Sequence, residues 1–77
     1  MNLSIKYFGL MAEISGCTEE QLNFQQTSVA DLIDVLTQKY PSLKEKDFQV
    51  AQNLEISQKD APITAVEIAL LPPFSGG

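Results

Sequence analysis

The chain has 77 residues, with ten acidic residues against five lysines, no histidine and one cysteine. Its length allows one small domain, and its 44% of hydrophobic residues is typical of a globular chain. Without imidazole and with a single thiol, the composition excludes a histidine-based catalytic site and an internal disulfide, and it predicts no metal site. The net charge of −5 argues against nucleic acid as a partner.

Two stretches of the sequence bear on location. The N-terminal residues 1–6 lack the basic region and apolar run of a secretory signal. The longest apolar run, residues 68–71, is far shorter than the roughly 20 residues that span a bilayer. We therefore expect a cytoplasmic protein with no membrane partner.

The first third of the chain predicts a strand, a short helix and a second strand. Apolar and other side chains alternate at the start, as in a half-buried strand, with Leu3, Ile5 and Tyr7 between Ser4, Lys6 and Phe8. Helical spacing over residues 10–16 predicts a short helix, and Gly16 is placed to end it. Residues 21–26 predict a strand with Leu22 and Phe24 on one side.

The clearest predicted element is a helix over about residues 28–40. Ser28 is followed three residues later by Asp31, a capping-box-like start whose carboxylate also complements the helix dipole. The apolar side chains that follow form one stripe: Val29, Leu32, Ile33, Leu36 and Tyr40. Pro41 ends the helix because proline disfavours helical geometry in the residue before it.

Short strands make up the rest of the domain. Between a polar link at residues 42–47 and a polar turn at 58–62, alternation predicts strands around 48–50 and 54–56, joined near Asn53. In the last strand Val66, Ile68 and Leu70 are expected to face inward, and Pro72 and Pro73 must end it.

This element order predicts an α+β fold with one mixed sheet covered by one main helix. We expect the inward-facing core to consist of Leu3, Ile5, Tyr7, Leu22, Phe24, Leu32, Ile33, Leu36, Val50, Ile68 and Leu70. Burying such side chains contributes roughly 1.5–3 kcal/mol each, about the minimum that so small a domain requires. Little apolar material is left to line an enclosed active site.

The residues that could carry chemistry inside the domain have simpler explanations. Cys17 has no lysine or histidine near it in sequence to lower its pKa, so we interpret it as an incidental thiol. The paired acids are expected on solvated surface: Glu19 with Glu20, Asp31 with Asp34, and Glu45 with Asp47.

The C-terminal residues 71–77 are the exception. Pro72 and Pro73 continue the last strand as a stiff, extended segment, and an aromatic residue follows them. Gly76 and Gly77 lack side chains, so an extended tail of minimal cross-section can enter a narrow channel. The terminal carboxylate is a poor electrophile at neutral pH, so its chemistry requires activation by another enzyme, most simply as an acyl-adenylate.

Strand geometry adds a prediction about the root of this tail. If the first and last strands pair in parallel, Phe8 and Leu71 lie together where the tail leaves, out of phase with the inward-facing residues. With Phe74 they are expected to form an exposed apolar patch, and such patches usually mark partner surfaces.

Three stretches resemble the small subunit of molybdopterin synthase, a sulfur carrier of the ubiquitin-like family. They are KYFGLMAEISG at residues 6–16, VAQN at 50–53 and EIALLPPFSGG at 67–77. The resemblance implies a ubiquitin-like β-grasp domain at residues 1–71 and an extended Gly-Gly tail at 72–77.

The resemblance also implies a function. Gly77 is expected to be adenylated by an ATP-dependent activating enzyme, converted to a thiocarboxylate, and used to donate sulfur for the dithiolene of the molybdenum cofactor. Phe74, Ser75 and Gly76 are expected to thread into the active site of the large synthase subunit. The interface residues implied are Phe8, Leu71, Pro72 and Pro73. No cofactor is expected to be bound, and the chain is not expected to catalyse a reaction alone.

Three other functions stay open at this point: a sulfur carrier for thiamine thiazole synthesis, a ubiquitin-like modifier that forms isopeptide bonds, and a binding module with an inert tail. Two departures from the family pattern concern the body of the domain. The first loop, at residues 12–14, lacks the family's arginine, and the turn at residues 64–67 keeps only the glutamate of the usual acidic turn.

Overall fold

A computed structural model describes residues 2–25, 28–53 and 55–72 of the chain. The strands are β1 (Asn2–Tyr7), β2 (Glu19–Asn23), β3 (Gln49–Gln52), β4 (Glu55–Ser57) and β5 (Glu67–Leu71). The helices are α1 (Leu10–Ser15), α2 (Val29–Lys39) and a 3-10 helix at Pro41–Glu45. The predicted α+β class and the predicted main helix are confirmed.

The strands form one mixed sheet in the order β2-β1-β5-β3-β4. The pair formed by β1 and β5 is parallel, as the sequence analysis assumed, and Ile5 pairs with Ile68. The other pairings are antiparallel. Because β1 and β5 run in the same direction, their C-terminal ends lie at the same edge of the sheet.

The core lies between one face of the sheet and α2. Its buried side chains are Leu3, Ile5, Tyr7, Met11, Phe24, Val29, Leu32, Leu36, Leu43, Val50, Ile68 and Leu70. Leu22 and Ile33, predicted as core, are only partly buried against it. Within the described ranges, no helix is long and apolar enough to cross a membrane.

Two expectations about the core are wrong. Val66 is 65% exposed, because it precedes β5 and lies beyond the last residue pair with β3, although its carbonyl oxygen accepts from the Ser4 amide (2.7 Å). Leu43 is 1% exposed, because the link that follows α2 is not a polar loop but a 3-10 helix whose one leucine faces inward.

The N-terminus of α2 is capped by Ser28, the residue that precedes the helix, and by a loop. The Ser28 hydroxyl accepts a hydrogen bond from the amide of Asp31 (3.2 Å), as the sequence predicted. The amides of Val29 and Ala30 donate to the carbonyl oxygens of Ala61 and Lys59, both at 2.9 Å. The loop after β4 therefore satisfies helix donors that would otherwise lack partners.

That loop is held in turn by one buried amide, the side chain of Gln52. Its Nε2 donates to Ser57 Oγ (3.1 Å) and to the Pro62 carbonyl oxygen (3.0 Å). Its Oε1 accepts from the backbone amides of Thr64 (2.7 Å) and Ala65 (3.2 Å). Gln52 is 6% exposed, so these bonds form away from water and fix the path into β5.

The C-terminus of α2 is tied to the sheet by Glu20, which was expected on solvated surface. Glu20 accepts hydrogen bonds from the phenols of Tyr7 and Tyr40, and from Lys39 Nζ at 2.7 Å. The two tyrosine rings pack edge to face, with centroids 6.0 Å apart. The carboxylate faces inward because its strand position pairs with Ile5 of β1.

The environment of Glu20 changes the pKa of its neighbours as well as its own. Partial burial acts to raise the pKa of Glu20, but the hydrogen bonds from Lys39, Tyr7 and Tyr40 outweigh it and hold the pKa below its ordinary value. Burial, assisted by the bond to Glu20, raises the pKa of Tyr7 well above its usual range. Both shifts favour the neutral phenol beside the ionised carboxylate.

The position of the second strand also differs from the prediction. β2 spans Glu19–Asn23 rather than residues 21–26. Glu20 and Leu22 are the inward-facing residues of β2. Because Glu20 is charged, the sequence pattern does not indicate that it faces inward. The remaining boundaries are close to those predicted, including the end of α1 at Gly16, which has a left-handed conformation (φ 79°) that favours glycine.

We expect Gln52→Leu to lower the free energy of unfolding by about 2 kcal/mol, since loop amides and carbonyls would lose their buried partner. Denaturant unfolding measures the change. Gln49→Leu is the matched control on the same strand, because no described residue donates to the buried Gln49 Oε1. Equal losses in the two variants would contradict the assigned role of Gln52.

A second prediction concerns pH. Since the folded-state pKa of Glu20 is lowered, its stabilisation is present above the ordinary glutamate pKa of about 4.3 and is lost as the pH falls through the folded-state value. Glu20→Gln should therefore cost about 1–2 kcal/mol at pH 7 and progressively less below pH 4.

Unfolding curves recorded across this pH range test that prediction. Glu19→Gln is the control, because Glu19 is exposed and accepts from Ser4 at the surface. A difference between wild type and Glu20→Gln that does not change with pH would show that lost packing, not the carboxylate, is responsible.

Candidate functional site at the root of the tail

The parallel strands β1 and β5 bring two of the predicted patch residues, Phe8 and Leu71, together. Tyr7 pairs with Leu70, and the amide of Phe8 donates to the Leu70 carbonyl oxygen (3.1 Å). Phe8 and Leu71 therefore lie next to each other at the sheet edge, in the phase opposite to the core. Phe8 is 46% exposed, so α1 does not cover it, and this part of the predicted patch is confirmed.

Pro72 begins the tail in contact with the β1–α1 turn. Pro72 lies against Gly9, although the two residues are far apart in the sequence. A side chain at position 9 would bring its Cβ to 3.3 Å from Pro72 Cγ. Gly9 also has φ 57°, a conformation that side chains disfavour. The absent side chain at Gly9 thus leaves room for the proline ring at the point where the chain leaves the sheet.

The patch extends further across the outer face of the sheet than the sequence indicated. An open groove of about 480 Å³ begins at Phe8 and Leu71 and reaches to β4. Its lining residues are Phe8, Ala51, Asn53, Ile56, Glu67, Ala69 and Leu71. Ala51 pairs with both Ala69 and Ile56, so two small residues and one large one lie side by side.

Of the polar side chains beside the groove, Glu67 is paired with a lysine, whereas the oxygen of Gln49 is not hydrogen-bonded to any described residue. Lys6 Nζ lies 2.6 Å from Glu67 Oε1, and this hydrogen bond raises the pKa of Lys6. On the same face, Gln49 pairs with Leu71, and its buried Oε1 has no donor among the residues the structure describes.

The remaining predicted site residues lie outside the described part of the chain. Pro73, Phe74, Ser75, Gly76 and Gly77 stay sequence predictions, and so does the extended form of the tail. Cys17, predicted to be incidental, is partly buried and hydrogen-bonded to Ser15, whose hydroxyl donates to the Cys17 carbonyl oxygen (2.8 Å).

Sequence reasoning missed Ala51, Ile56 and Ala69. A signal was available for Ala69 and Leu71, because both occupy outward positions of a central strand that would ordinarily carry polar side chains on a solvated face. The contribution of Ala51 and Ile56 could not be seen until the strand order was known.

Comparisons with known proteins identify the family of the chain. The model of the ThiS family matches residues 5–77. The chain belongs to the ThiS family.

Relatives of this ThiS-family chain include the molybdopterin synthase sulfur carrier subunit of Mycobacterium tuberculosis. It is 33% identical over an alignment 86 positions long, which covers 100% of this chain and 99% of the relative. The resemblance stated from the sequence is therefore confirmed at the level of the family.

Solved structures confirm the ubiquitin-like β-grasp fold. Subunit 1 of the molybdopterin converting factor of Pyrococcus furiosus superposes with a TM-score of 0.85 at 21% identity, over 95% of this chain and 98% of that one. Small archaeal modifier protein 1 of Haloferax volcanii has a TM-score of 0.78 at 25% identity, over 100% of both chains. Its counterpart from Methanosarcina acetivorans has a TM-score of 0.74 at 25% identity, over 99% and 96%.

The exposure of Phe8 makes a prediction about folding. Phe8→Asp should change the free energy of unfolding by less than about 1 kcal/mol, as expected of a surface position. Leu70→Asp, one strand away and 0% exposed, should unfold the domain because it buries a charge. Thermal unfolding followed by circular dichroism distinguishes them, and unfolding by Phe8→Asp would place Phe8 in the core.

Proposed function

We propose that the chain is the sulfur carrier subunit of molybdopterin synthase and carries sulfur as a thiocarboxylate on Gly77. The observation that carries this proposal is the apolar surface at the tail root, where Phe8 and Leu71 lie beside Pro72; Gly76 and Gly77 follow at the end of the sequence. A relative of nearly equal length that bears this name supports it.

The proposed reaction sequence uses the terminal carboxylate alone. A carboxylate oxygen of Gly77 attacks the α-phosphorus of ATP on an activating enzyme, which releases pyrophosphate and leaves an acyl-adenylate. Hydrosulfide then attacks the acyl carbon, the bond to AMP breaks, and loss of the sulfur-bound proton leaves the thiocarboxylate. After the sulfur has been transferred to the molybdopterin precursor, with water supplying the oxygen, the carboxylate is regenerated.

The fold contributes position rather than catalysis in this proposal. Two partners are required: the ATP-dependent adenylating and sulfurating enzyme, and the large synthase subunit that receives Phe74, Ser75 and Gly76. Phe8, Leu71, Pro72 and Pro73 form the contact at the tail root. No resident cofactor is needed, because the reactive group is the chain's own C-terminus.

The modifier alternative begins with the same acyl-adenylate and differs in the nucleophile, an amine of a target lysine instead of sulfur. The likeness to the small archaeal modifier proteins favours keeping it as the second candidate. The thiazole carrier shares the sulfur step and differs in the acceptor. The products therefore distinguish the three functions, whereas the tail itself does not.

Intact-mass measurement after reaction with the activating enzyme, ATP and a sulfur source tests the proposal. We expect one terminal oxygen to be replaced by sulfur in the wild type. Covalent adducts with other proteins would instead support the modifier, and an unchanged mass in every condition would contradict both.

Removal of Gly77 is the matched control, because it leaves the folded domain intact and shortens only the tail. The truncated chain should form no thiocarboxylate and support no dithiolene formation, yet still bind the large subunit in part. Dithiolene formation by the truncated chain would rule out the proposed role of Gly77.

A further inference from the structure

The contact between Gly9 and Pro72 lies where the sheet ends and the tail begins. The amide of Phe8 donates to the Leu70 carbonyl oxygen (3.1 Å), and in a parallel ladder the next bond would run from residue 72 back to the Phe8 carbonyl oxygen. Pro72 has no N–H to donate, and that oxygen accepts from the Met11 amide instead (3.1 Å). The place of Pro72 beside β1 therefore depends on the packing of its ring and not on a ladder bond from its nitrogen.

The backbone of Gly9 leaves space for that ring. Its φ of 57° and ψ of −131° lie in a region that glycine adopts freely and that side chains disfavour. A Cβ at this position would lie 3.3 Å from Pro72 Cγ and 3.8 Å from Pro72 Cδ. Carbon atoms pack best at about 3.5–4.0 Å, so the shorter contact would push the ring outward. The turn itself is fixed, because the Gly9 carbonyl oxygen accepts from the Ala12 amide (3.1 Å).

The rigidity of proline would transmit such a displacement to the rest of the tail. The Pro72 ring includes the backbone nitrogen, so Cγ and Cδ cannot turn aside as the end of a flexible side chain can. Residue 73 is a second proline, and Gly77 is the fifth residue after Pro72. In the extended form expected from the sequence, at about 3.1 Å per residue, a change of direction by a few degrees at Pro72 moves Gly77 by about 1 Å.

The proposed sulfur transfer is sensitive to a displacement of this size. A reacting atom has to lie within about 3–3.5 Å of its target, and a misplacement of about 1 Å can slow a reaction roughly 100-fold. The affinity of a partner depends instead on large side chains that it buries, and Gly9 has no side chain to contribute. A change at Gly9 is therefore expected to act on the rate within the bound complex more than on its affinity.

We propose that Gly9 is a positioning residue for sulfur transfer. By leaving room for the Pro72 ring, it sets the direction in which the tail carries the Gly77 thiocarboxylate away from the domain. This inference rests on the proposed function and deepens it. It gives a role in the reaction to the turn between β1 and α1, which holds no reactive group of its own.

Gly9→Ala tests the proposal in the full chain, with the thiocarboxylate installed by chemical ligation. Single-turnover sulfur transfer at saturating large synthase subunit should slow by about tenfold or more, whereas the dissociation constant from calorimetry should change by less than about threefold. Gly16→Ala is the matched control. Gly16 also has a positive φ (79°), but a Cβ there would meet nothing within 4 Å, so its transfer rate should equal that of the wild type.

A double-mutant cycle separates positioning from general damage to the fold. Pro72→Ala removes Cγ and Cδ, and the exposure of Pro72 makes unfolding unexpected. This variant should slow transfer as well, and adding Gly9→Ala to it should slow transfer no further. Losses that multiply would overturn the proposal, because Gly9 would then act independently of the ring. Transfer at the wild-type rate by folded Gly9→Ala would also overturn it, and so would that rate in Pro72→Ala if Gly9→Ala does not fold.

The two proposals fail in distinguishable ways. If the wild-type thiocarboxylate transfers its sulfur and Gly9→Ala does so equally fast, only the positioning role is wrong. If the wild-type thiocarboxylate transfers no sulfur in the presence of the large subunit, the proposed function is wrong.

Discussion

The parallel pairing of β1 with β5 is the constraint on which the rest of the structure depends. A parallel pair cannot be joined by a tight turn, so nearly the whole chain serves as the connection between its first and last strands. That connection supplies α2, which covers one face of the sheet. The same pairing places the end of β5 beside the end of β1, which is why Phe8, near the N-terminus, belongs to the surface from which the C-terminal tail departs.

The helix that covers this pair is held at both ends by polar contacts rather than by apolar packing alone. At its N-terminus, the loop fixed by Gln52 accepts from the first helical amides. At its C-terminus, Glu20 of β2 accepts from Lys39 and Tyr40 and also from Tyr7 of β1. Gln52 and Glu20 each hydrogen-bond to several groups at once. Because all of these bonds form together in only one arrangement of helix and sheet, the two side chains specify that arrangement. The opposite face of the sheet is left free for contact with other molecules.

The sequence predicted those features that depend on local chemistry. The capped start of α2 at Ser28, its end before Pro41 and the left-handed Gly16 each follow from a short stretch of residues. The exposure of Phe8 beside Leu71 required one further assumption, the parallel pairing, and it was correct. The identity of the tail residues also came from sequence, through their order at the C-terminus.

Features that depend on residues distant in the chain were not predictable. Glu20 is charged, and only the positions of two tyrosines from other elements make its inward orientation favourable. Leu43 needed a 3-10 helix that has no periodic pattern of its own. The groove required the order of β5, β3 and β4, because Ala51, Ala69 and Ile56 become neighbours only when the sheet is assembled.

The central location of β5 has a mechanical consequence. Under the proposed function, a tail drawn into and out of a partner's channel would transmit tension along β5, the strand that precedes it. Because β5 is hydrogen-bonded on both sides, to β1 and to β3, tension along its axis loads the two rows of bonds in shear, all at once instead of one after another. A tail attached to an edge strand would load only one row of hydrogen bonds, so the central position of β5 gives the C-terminal segment the stronger attachment.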